Sequence, residues 1–321
     1  MRLSIVTSLY RSAPYLVEFC RRAGAAARAI TENYEILLVV DGSPDNSLEV
    51  ALEIQRQDSH VTVLELSRNF GHHKALMTGL MHSTGDQVYM VDCDLEEQPE
   101  WLALFHEEME RRGADVVFGV QNRRKGGFFE RITGGLFYRL FNLLSDTPVP
   151  ADQVMARLMS KEYVRALVAH QESEMFLAGL CALTGFRQKA CSVAKLSKGS
   201  TTYSLWRKLT QVVTAFTSFS DRPLWLICLL GLVIAATSLM GAATVAFRWL
   251  FCGDFLMGWP SLIVSIWFLG GLNLFAVGIL GIYLSKVFIE IKRRPYTIIR
   301  RRYASTSLEP ADQLPEPRKA A

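Results

Sequence analysis

Two aspartates separated by one residue, Asp92 and Asp94, directly follow an apolar run. Two carboxylates at this spacing on a tight turn can both bind one hard cation, such as Mg²⁺ or Mn²⁺. A cation held in this way can bridge the phosphates of a nucleotide and neutralise a departing diphosphate. Because acidic pairs often simply end strands, the pair indicates such a site only if neighbouring elements bring further polar groups to it.

The first 120 residues alternate short apolar, β-rich runs with helical stretches. This alternation is typical of βαβ units and predicts a parallel, doubly wound sheet of the α/β class. The predicted strands cover residues 3–9, 35–40, 61–66, 87–91 and 115–120, and the predicted helices cover residues 15–30, 74–82 and 99–111. The aspartate pair therefore follows the fourth strand.

Polar residues also follow the first three predicted strands. They are Thr7, Tyr10 and the segments 41–45 and 67–71. In sheets of this kind ligands bind beyond the carboxyl ends of the strands, so one crevice should collect these residues and the aspartate pair. No GxGxxG follows the first strand and the sequence has no P-loop motif, so neither fingerprint explains the crevice. The crevice and the pair together favour a site for a nucleotide sugar.

Two long stretches without a charged residue follow this region, at residues 223–247 and 255–285. Each exceeds the roughly 20 residues needed to cross about 30 Å of hydrocarbon, so the sequence predicts two transmembrane helices. Buried helices of a soluble core are the alternative. The predicted organisation is a cytoplasmic domain at 1–200, an interfacial amphipathic segment at 201–222, spans at 223–247 and 258–286 with an extracytoplasmic loop at 248–257, and a basic cytoplasmic tail with a disordered end at 287–321.

The distribution of charge predicts the orientation in the membrane. Lysines and arginines are concentrated before the first span and after the second, so the positive-inside rule places both termini in the cytoplasm. The first residues do not have the pattern of a signal peptide, so we expect the first domain to stay in the cytoplasm. The six cysteines have no zinc-ligand spacing, which suits free thiols in a reducing compartment. The net charge of +4 is small for 321 residues and does not indicate nucleic-acid binding. Glycines in the second span make a homo-oligomer plausible.

Four segments that follow predicted strands resemble a known family. Residues 4–10, 40–47, 66–71 and 92–95 are similar to the GT-A glycosyltransferases of family 2. Within that family they resemble the polyprenyl-phosphate glycosyltransferases, the group of dolichyl-phosphate mannose synthase and of the bacterial enzymes that make undecaprenyl-phosphate glucose. The likeness continues through residues 136–140, 157–160, 199–205 and 217–220.

The resemblance implies a GT-A fold and an inverting glycosyltransferase. By this resemblance the enzyme moves a sugar from a nucleoside diphosphate sugar to a polyprenyl phosphate, such as undecaprenyl phosphate, on the cytoplasmic face. It would be a multi-pass protein of the bacterial inner membrane acting on cell-envelope glycans or lipids such as lipopolysaccharide, and a separate flippase would move its product. Mg²⁺ or Mn²⁺ is the implied cofactor.

The resemblance also implies roles for individual residues. Asp92 and Asp94 are the implied catalytic residues, and with Glu96 they are the implied metal ligands. The implied donor-binding residues are Thr7, Tyr10, Asp41, Arg68 and Asn69, and those for the acceptor phosphate are Arg123, Arg124, Arg157 and Lys198. His72 and His73 are candidates for donor contact, with packing at a helix start as the alternative.

One departure from the family pattern bears on the acceptor. Met155 stands where many relatives carry an acidic residue, so a general base at that position is excluded. A lipid monophosphate, with a second pKa of about 6, is already anionic at neutral pH, whereas a sugar hydroxyl must lose a proton. Met155 therefore favours a phosphate acceptor. A hydroxyl acceptor on a lipid-linked saccharide or glycerolipid and a non-catalytic scaffold that binds a nucleotide sugar remain alternatives.

Overall fold

The computed structural model describes residues 1–121, 152–170, 172, 177–195, 222–252, 258–292 and 294–304. Eight strands form one mixed sheet: β1 Leu3–Leu9, β2 Tyr34–Val40, β3 Val61–Leu66, β4 Gln87–Met90, β5 Val116–Gln121, β6 Gln153–Ser160, β7 Gln188–Val193 and β8 Ile299–Tyr303. The helices are α1 Ala13–Arg28, α2 Ser47–Gln57, α3 His72–Met81, α4 Trp101–Arg112, α5 Lys161–Val168, α6 Leu177–Leu183, α7 Arg222–Cys252 and α8 Trp259–Ile291.

The strand order in the sheet is β7-β5-β6-β4-β1-β2-β3-β8. β1 pairs in parallel with β2 and with β4, and β2 pairs in parallel with β3. β6 runs antiparallel to both β4 and β5, and β8 runs antiparallel to β3. The predicted, mostly parallel sheet is therefore confirmed, with antiparallel strands inserted at β6 and added at β8.

Apolar side chains on the two faces of the sheet form two cores. One core joins the sheet to α1 and α4 through side chains such as Phe19 and Phe105. The other joins it to α3, α5 and α6 through side chains such as Leu76 and Tyr163. The residues of β1 and β2 are all buried, as expected for parallel strands covered on both faces. This rigid centre carries the loops that follow β1 to β4.

The last strand brings the region after α8 back to the sheet. Glu65 on β3, 7% exposed, accepts a hydrogen bond from the Tyr303 hydroxyl at 2.9 Å and one from Arg300 Nη1 at 3.1 Å. Just before β8, Thr297 Oγ1 lies 2.7 Å from Thr78 Oγ1 on α3. The sheet is thus not confined to the predicted domain at 1–200, because five residues of the predicted basic tail form its edge strand.

One helical segment within the described residues, Ser265–Ile291 in α8, is long and apolar enough to cross a membrane. At 1.5 Å per residue its 27 residues extend about 40 Å. The apolar part of α7 within the described residues, Leu224–Ile234, is shorter. One of the two predicted spans therefore coincides with such a helix, and the other stays a prediction. The predicted interfacial segment and the end of the tail lie almost wholly outside the described residues. Of the predicted loop at 248–257, residues 248–252 belong to α7 and residues 253–257 are not described.

Candidate active site

The loops that follow β1 to β4 meet at one edge of the sheet, as the sequence predicts. Direct contacts join them: the Arg11 N–H donates to Ser43 Oγ at 2.8 Å, and the Cys93 thiol lies 3.4 Å from the Ser8 carbonyl oxygen. Thr7 is buried at the end of β1, whereas Tyr10, three residues on, is 48% exposed. Thr7 is thus part of the core, whereas the Tyr10 side chain lies at the surface beside these loops.

The aspartate pair lies on a tight turn after β4. The turn is closed by the Asp94 carboxylate, whose Oδ1 accepts the Glu96 N–H at 3.0 Å. Between them Leu95 has a φ of 63°, in the left-handed region that a branched side chain rarely adopts. Such strain is concentrated at functional sites, where the surrounding structure holds it in place. The backbone conformation of Leu95 therefore makes this turn a candidate functional element.

Asp92 and His72 form an ion-pair contact at the start of α3. His72 Nε2 lies 3.2 Å from Asp92 Oδ1, and His72 Nδ1 lies 2.7 Å from Ser8 Oγ. Burial raises the pKa of Asp92, but His72, Lys195 and His73 together lower it by more, so the pKa is lowered overall. Burial lowers the pKa of His72, but Asp92, Glu97 and Asp41 together raise it by more. The pair therefore favours a negative carboxylate beside a positive imidazole.

Asp41 ties the loop after β2 to the loop after β3. It is 1% exposed, and its two carboxylate oxygens accept the N–H groups of Phe70 at 2.7 Å and Gly71 at 2.9 Å. Burial raises its pKa although both amides lower it. In the same loop the Arg68 guanidinium lies 4.1 Å from the Phe70 ring centroid and donates to the Asn69 carbonyl at 3.0 Å. Asp41 thus shapes the loop that carries two of the predicted donor-binding residues.

A buried carboxylate that sequence reasoning missed, Glu97, lies beside the aspartate turn. It is 1% exposed, and its Oε1 accepts the Met155 N–H at 3.0 Å. Lys195 Nζ lies 3.5 Å from this oxygen and 3.4 Å from Glu96 Oε2. Burial and the charge of Asp92 raise the pKa of Glu97 to about 7, against the lowering effect of Lys195.

Glu97 cannot be told from a solvated loop residue by sequence pattern alone. It stands next to Glu96 in a polar loop, and only the fold brings it to the backbone of Met155. The second oxygen of Glu97, Oε2, is buried and has no hydrogen-bond partner among the described residues. A buried carboxylate oxygen without a hydrogen-bond partner is costly, so Glu97 is a candidate member of the site.

The predicted acceptor-binding residues are only partly described. Arg157 lies on β6, is 2% exposed, and donates through Nε to the Met155 carbonyl at 3.3 Å. Arg123, Arg124 and Lys198 lie outside the described residues. The acceptor roles of all four residues therefore stay predictions.

The carboxylates of the turn suit a hard divalent cation. Asp92 Oδ1 is buried and lies 3.2 Å from His72 Nε2, so Oδ2 is the Asp92 oxygen that a cation would contact. No group of three His, Cys, Asp or Glu side chains placed to hold a metal occurs among the described residues. Mg²⁺ is commonly held by one or two carboxylates together with substrate phosphates and water, so Asp92 and Asp94 are sufficient from the protein's side. Glu96, the third predicted ligand, contacts Lys195, and its role as a metal ligand stays a prediction.

Comparison with known proteins identifies the family. The family model for glycosyl transferase family 2 matches residues 4–168. A protein of Mycobacterium tuberculosis named as a glycosyltransferase is 50% identical, covering 97% of this chain and 92% of its own. The prophage bactoprenol glucosyl transferase homolog of Escherichia coli is 30% identical, covering 94% of this chain and 99% of its own.

A solved structure, the mannosyltransferase PcManGT from Pyrobaculum calidifontis in complex with GDP-Man and Mn²⁺, is more distant. It is 16% identical with a TM-score of 0.47, covering 91% of this chain and 86% of its own. A likeness at this level does not carry that protein's ligands over to this chain. The family is shown by the matching domain and by relatives that align along almost their whole length. The chain therefore belongs to glycosyltransferase family 2 and is a glycosyltransferase.

Proposed function

We propose that this glycosyltransferase moves one sugar from a nucleoside diphosphate sugar to a polyprenyl phosphate at the cytoplasmic face of a bacterial inner membrane. The observation that carries the proposal is the strained turn of Asp92 and Asp94 at the carboxyl end of β4. The same sheet includes β8, which follows the membrane-length helix α8 in the chain. A nucleotide site and a membrane-length helix in one chain suit a soluble donor and a lipid acceptor. The bactoprenol glucosyl transferase homolog supports the lipid acceptor.

The proposed reaction is a single displacement. An oxygen of the acceptor phosphate attacks the anomeric carbon, and the bond from that carbon to the donor diphosphate breaks. The electron pair of the broken bond leaves with the nucleoside diphosphate, so the configuration at the anomeric carbon inverts. A divalent cation held by Asp92 and Asp94 would supply positive charge to the leaving diphosphate.

The polar groups around the turn suit this reaction. The loop held by Asp41 presents Arg68 and Asn69 at the rim for the donor, and the Ser8 end of β1 lies between that loop and the turn. Lys195 is held at 3.4 and 3.5 Å from two carboxylates, so its positive charge has a fixed place beside the turn. A cation there can attract either the diphosphate or the acceptor phosphate.

Transfer to a hydroxyl acceptor is the less favoured reading. A hydroxyl needs a base to take its proton, and Met155 cannot act as one. Glu97 has a suitable pKa of about 7 but is 1% exposed, which keeps its carboxylate away from an acceptor. A phosphate acceptor needs no base, because it is already largely anionic at neutral pH.

The position of β8 supports anchoring by two spans. β3 and β8 are neighbours in one sheet, so residues 66 and 299 lie on the same side of any membrane. The chain between them must then cross the membrane an even number of times. If α8 is one crossing, α7 is the natural second one, and the basic residues 300–302 favour the cytoplasmic side for the sheet.

A donor screen on detergent-purified protein tests the proposal. UDP-, GDP- and dTDP-sugars would be offered with Mn²⁺ or Mg²⁺ and undecaprenyl phosphate, and lipid products would be read by mass spectrometry. We expect one donor to give a glycosylated lipid phosphate, and Asp94→Asn to abolish the product. Asp58→Asn, the same change at an aspartate outside the site, should leave it intact. Product formed only on a hydroxyl acceptor, or full activity of Asp94→Asn, would overturn the proposal.

A further inference from the structure

The imidazole of His72 connects three elements of the site. Its Nδ1 lies 2.7 Å from Ser8 Oγ at the end of β1, and its Nε2 lies 3.2 Å from Asp92 Oδ1 after β4. His72 itself is the first residue of α3. The Ser8 side of this link is fixed, because Ser8 is 8% exposed and pairs with Val39 on β2.

The link determines the orientation of the Asp92 carboxylate. The last torsion of an aspartate side chain is broad, so the strand alone does not set the plane of its carboxylate. Asp92 Oδ1 is buried and makes no aligned hydrogen bond among the described residues. Its ion-pair contact there is with the His72 ring. Fixing Oδ1 against the ring also fixes the direction of Oδ2.

The hydrogen-bonding pattern is consistent with one tautomer. A ring that donates from Nε2 toward Asp92 can accept from the Ser8 hydroxyl at Nδ1. A protonated ring would donate from both nitrogens, and the Ser8 hydroxyl could accept instead. In either state Ser8 holds the ring and the ring faces the carboxylate, so the geometry does not depend on the charge of His72.

We propose that His72 is a positioning residue that, held by Ser8, orients Asp92 toward the divalent cation of the proposed reaction. This inference rests on the proposed function, because it concerns the same cation site. Carboxylates that bind metals are commonly held by such outer contacts, and removal of one typically weakens metal affinity by about 10- to 100-fold. His72 acts through Asp92 and has no chemical step of its own.

Mn²⁺ binding to the full-length protein in detergent provides a test that does not need turnover. The concentration of free Mn²⁺, read from its paramagnetic resonance signal, would be titrated against wild type, His72→Ala and His72→Gln. We expect a loss of about 10- to 100-fold for His72→Ala. His72→Gln, which keeps a donor in the side chain, should lose less. Raising Mn²⁺ should restore much of the rate of His72→Ala, so that the metal requirement changes more than kcat.

Ser8→Ala tests the link itself. If Ser8 acts only by holding His72, Ser8→Ala should weaken Mn²⁺ binding in the wild-type background and change it little in the His72→Ala background. His60 offers a matched control, because its Nδ1 lies 2.8 Å from Asp58 Oδ1 in a partly exposed pair before β3, at the opposite edge of the sheet. His60→Gln should leave Mn²⁺ affinity unchanged.

The outcomes separate the two proposals. Suppose that wild type binds Mn²⁺ and turns over donor, and that His72→Ala has the same Mn²⁺ affinity. This result would overturn the positioning role and leave the proposed function standing. Additive losses from Ser8→Ala and His72→Ala would also overturn it. Wild type that neither binds Mn²⁺ nor turns over any donor would remove the proposed function first. If His72 had a purely structural role, its substitution would lower the unfolding temperature, but Mn²⁺ affinity would not fall in the order wild type, His72→Gln, His72→Ala. That result would also overturn the positioning role.

Discussion

Replacing Asp41 by asparagine tests whether its carboxylate holds two loops together. Both oxygens accept backbone N–H groups, from Phe70 at 2.7 Å and Gly71 at 2.9 Å, in a site where Asp41 is 1% exposed. Asparagine keeps one acceptor oxygen and places an NH₂ group where the second oxygen was. That group and a backbone N–H would then face each other as two donors, and neither would have a partner.

The expected cost follows from these contacts. A hydrogen bond to a charged group contributes about 1.5–3 kcal/mol, and a buried donor without a partner costs about 1–3 kcal/mol. Removing a charge whose pKa is raised by burial offsets part of this sum. We therefore expect Asp41→Asn to lower the free energy of unfolding by about 2–4 kcal/mol, or the unfolding temperature by roughly 5–15 °C for a domain of about 200 residues.

Thermal unfolding in detergent, with Asp58→Asn as the matched control, measures the effect. Asp58 is partly exposed and far from the site, so its substitution should shift the unfolding temperature little. An unfolding temperature for Asp41→Asn equal to that of wild type would refute the reasoning. If donor affinity nevertheless fell in that variant, Asp41 would contact the donor directly, as the family resemblance implies.

Three further predictions concern stability. Because the pKa of Glu97 is raised from 4.5 to about 7, its contribution to stability is present below its ordinary pKa and is lost as the pH rises through about 7. The metal-free protein in EDTA should lose up to about 3 kcal/mol over this range, and equal pH profiles of unfolding temperature for wild type and Glu97→Gln would contradict this. Gly79→Ala should destabilise the protein by about 1–3 kcal/mol in thermal unfolding, because the added Cβ would lie 2.4 Å from Val6 Cγ1; an unchanged midpoint would show that the packing yields. Tyr303→Phe removes the hydroxyl that donates to Glu65, so amide hydrogen exchange along β3 should accelerate, and unchanged exchange would mean that β8 contributes little.

The first four strands were predictable because their burial leaves a simple pattern. Strands covered on both faces must be continuously apolar, and the predicted segments 3–9, 35–40, 61–66 and 87–91 differ from β1 to β4 by at most one residue at an end. Their order along the chain also placed Asp92 and Asp94 beyond a strand end. The position of the two aspartates in the fold therefore followed from local pattern alone.

The edge strands and the buried polar contacts were not predictable in the same way. β8 contains three successive arginines, which fit an edge strand with solvent-facing side chains but read as a basic tail in sequence. Glu97 and Lys195 are almost 100 residues apart, and only the turn after β4 and the end of β7 bring them within 3.5 Å. His72 was a candidate for donor contact, whereas the structure places its ring against Asp92.

The pairing of β8 with β3 has a consequence for the order of synthesis. Glu65 on β3 and Arg300 on β8 are 235 residues apart, so β3 is made long before its outer neighbour. At about 5–20 residues per second the interval is roughly 10–50 seconds, during which β3 is an open sheet edge. Both long helices are made within that interval. The sheet is therefore completed only after α7 and α8 have left the ribosome. A complete sheet thus requires that both long helices have already been made.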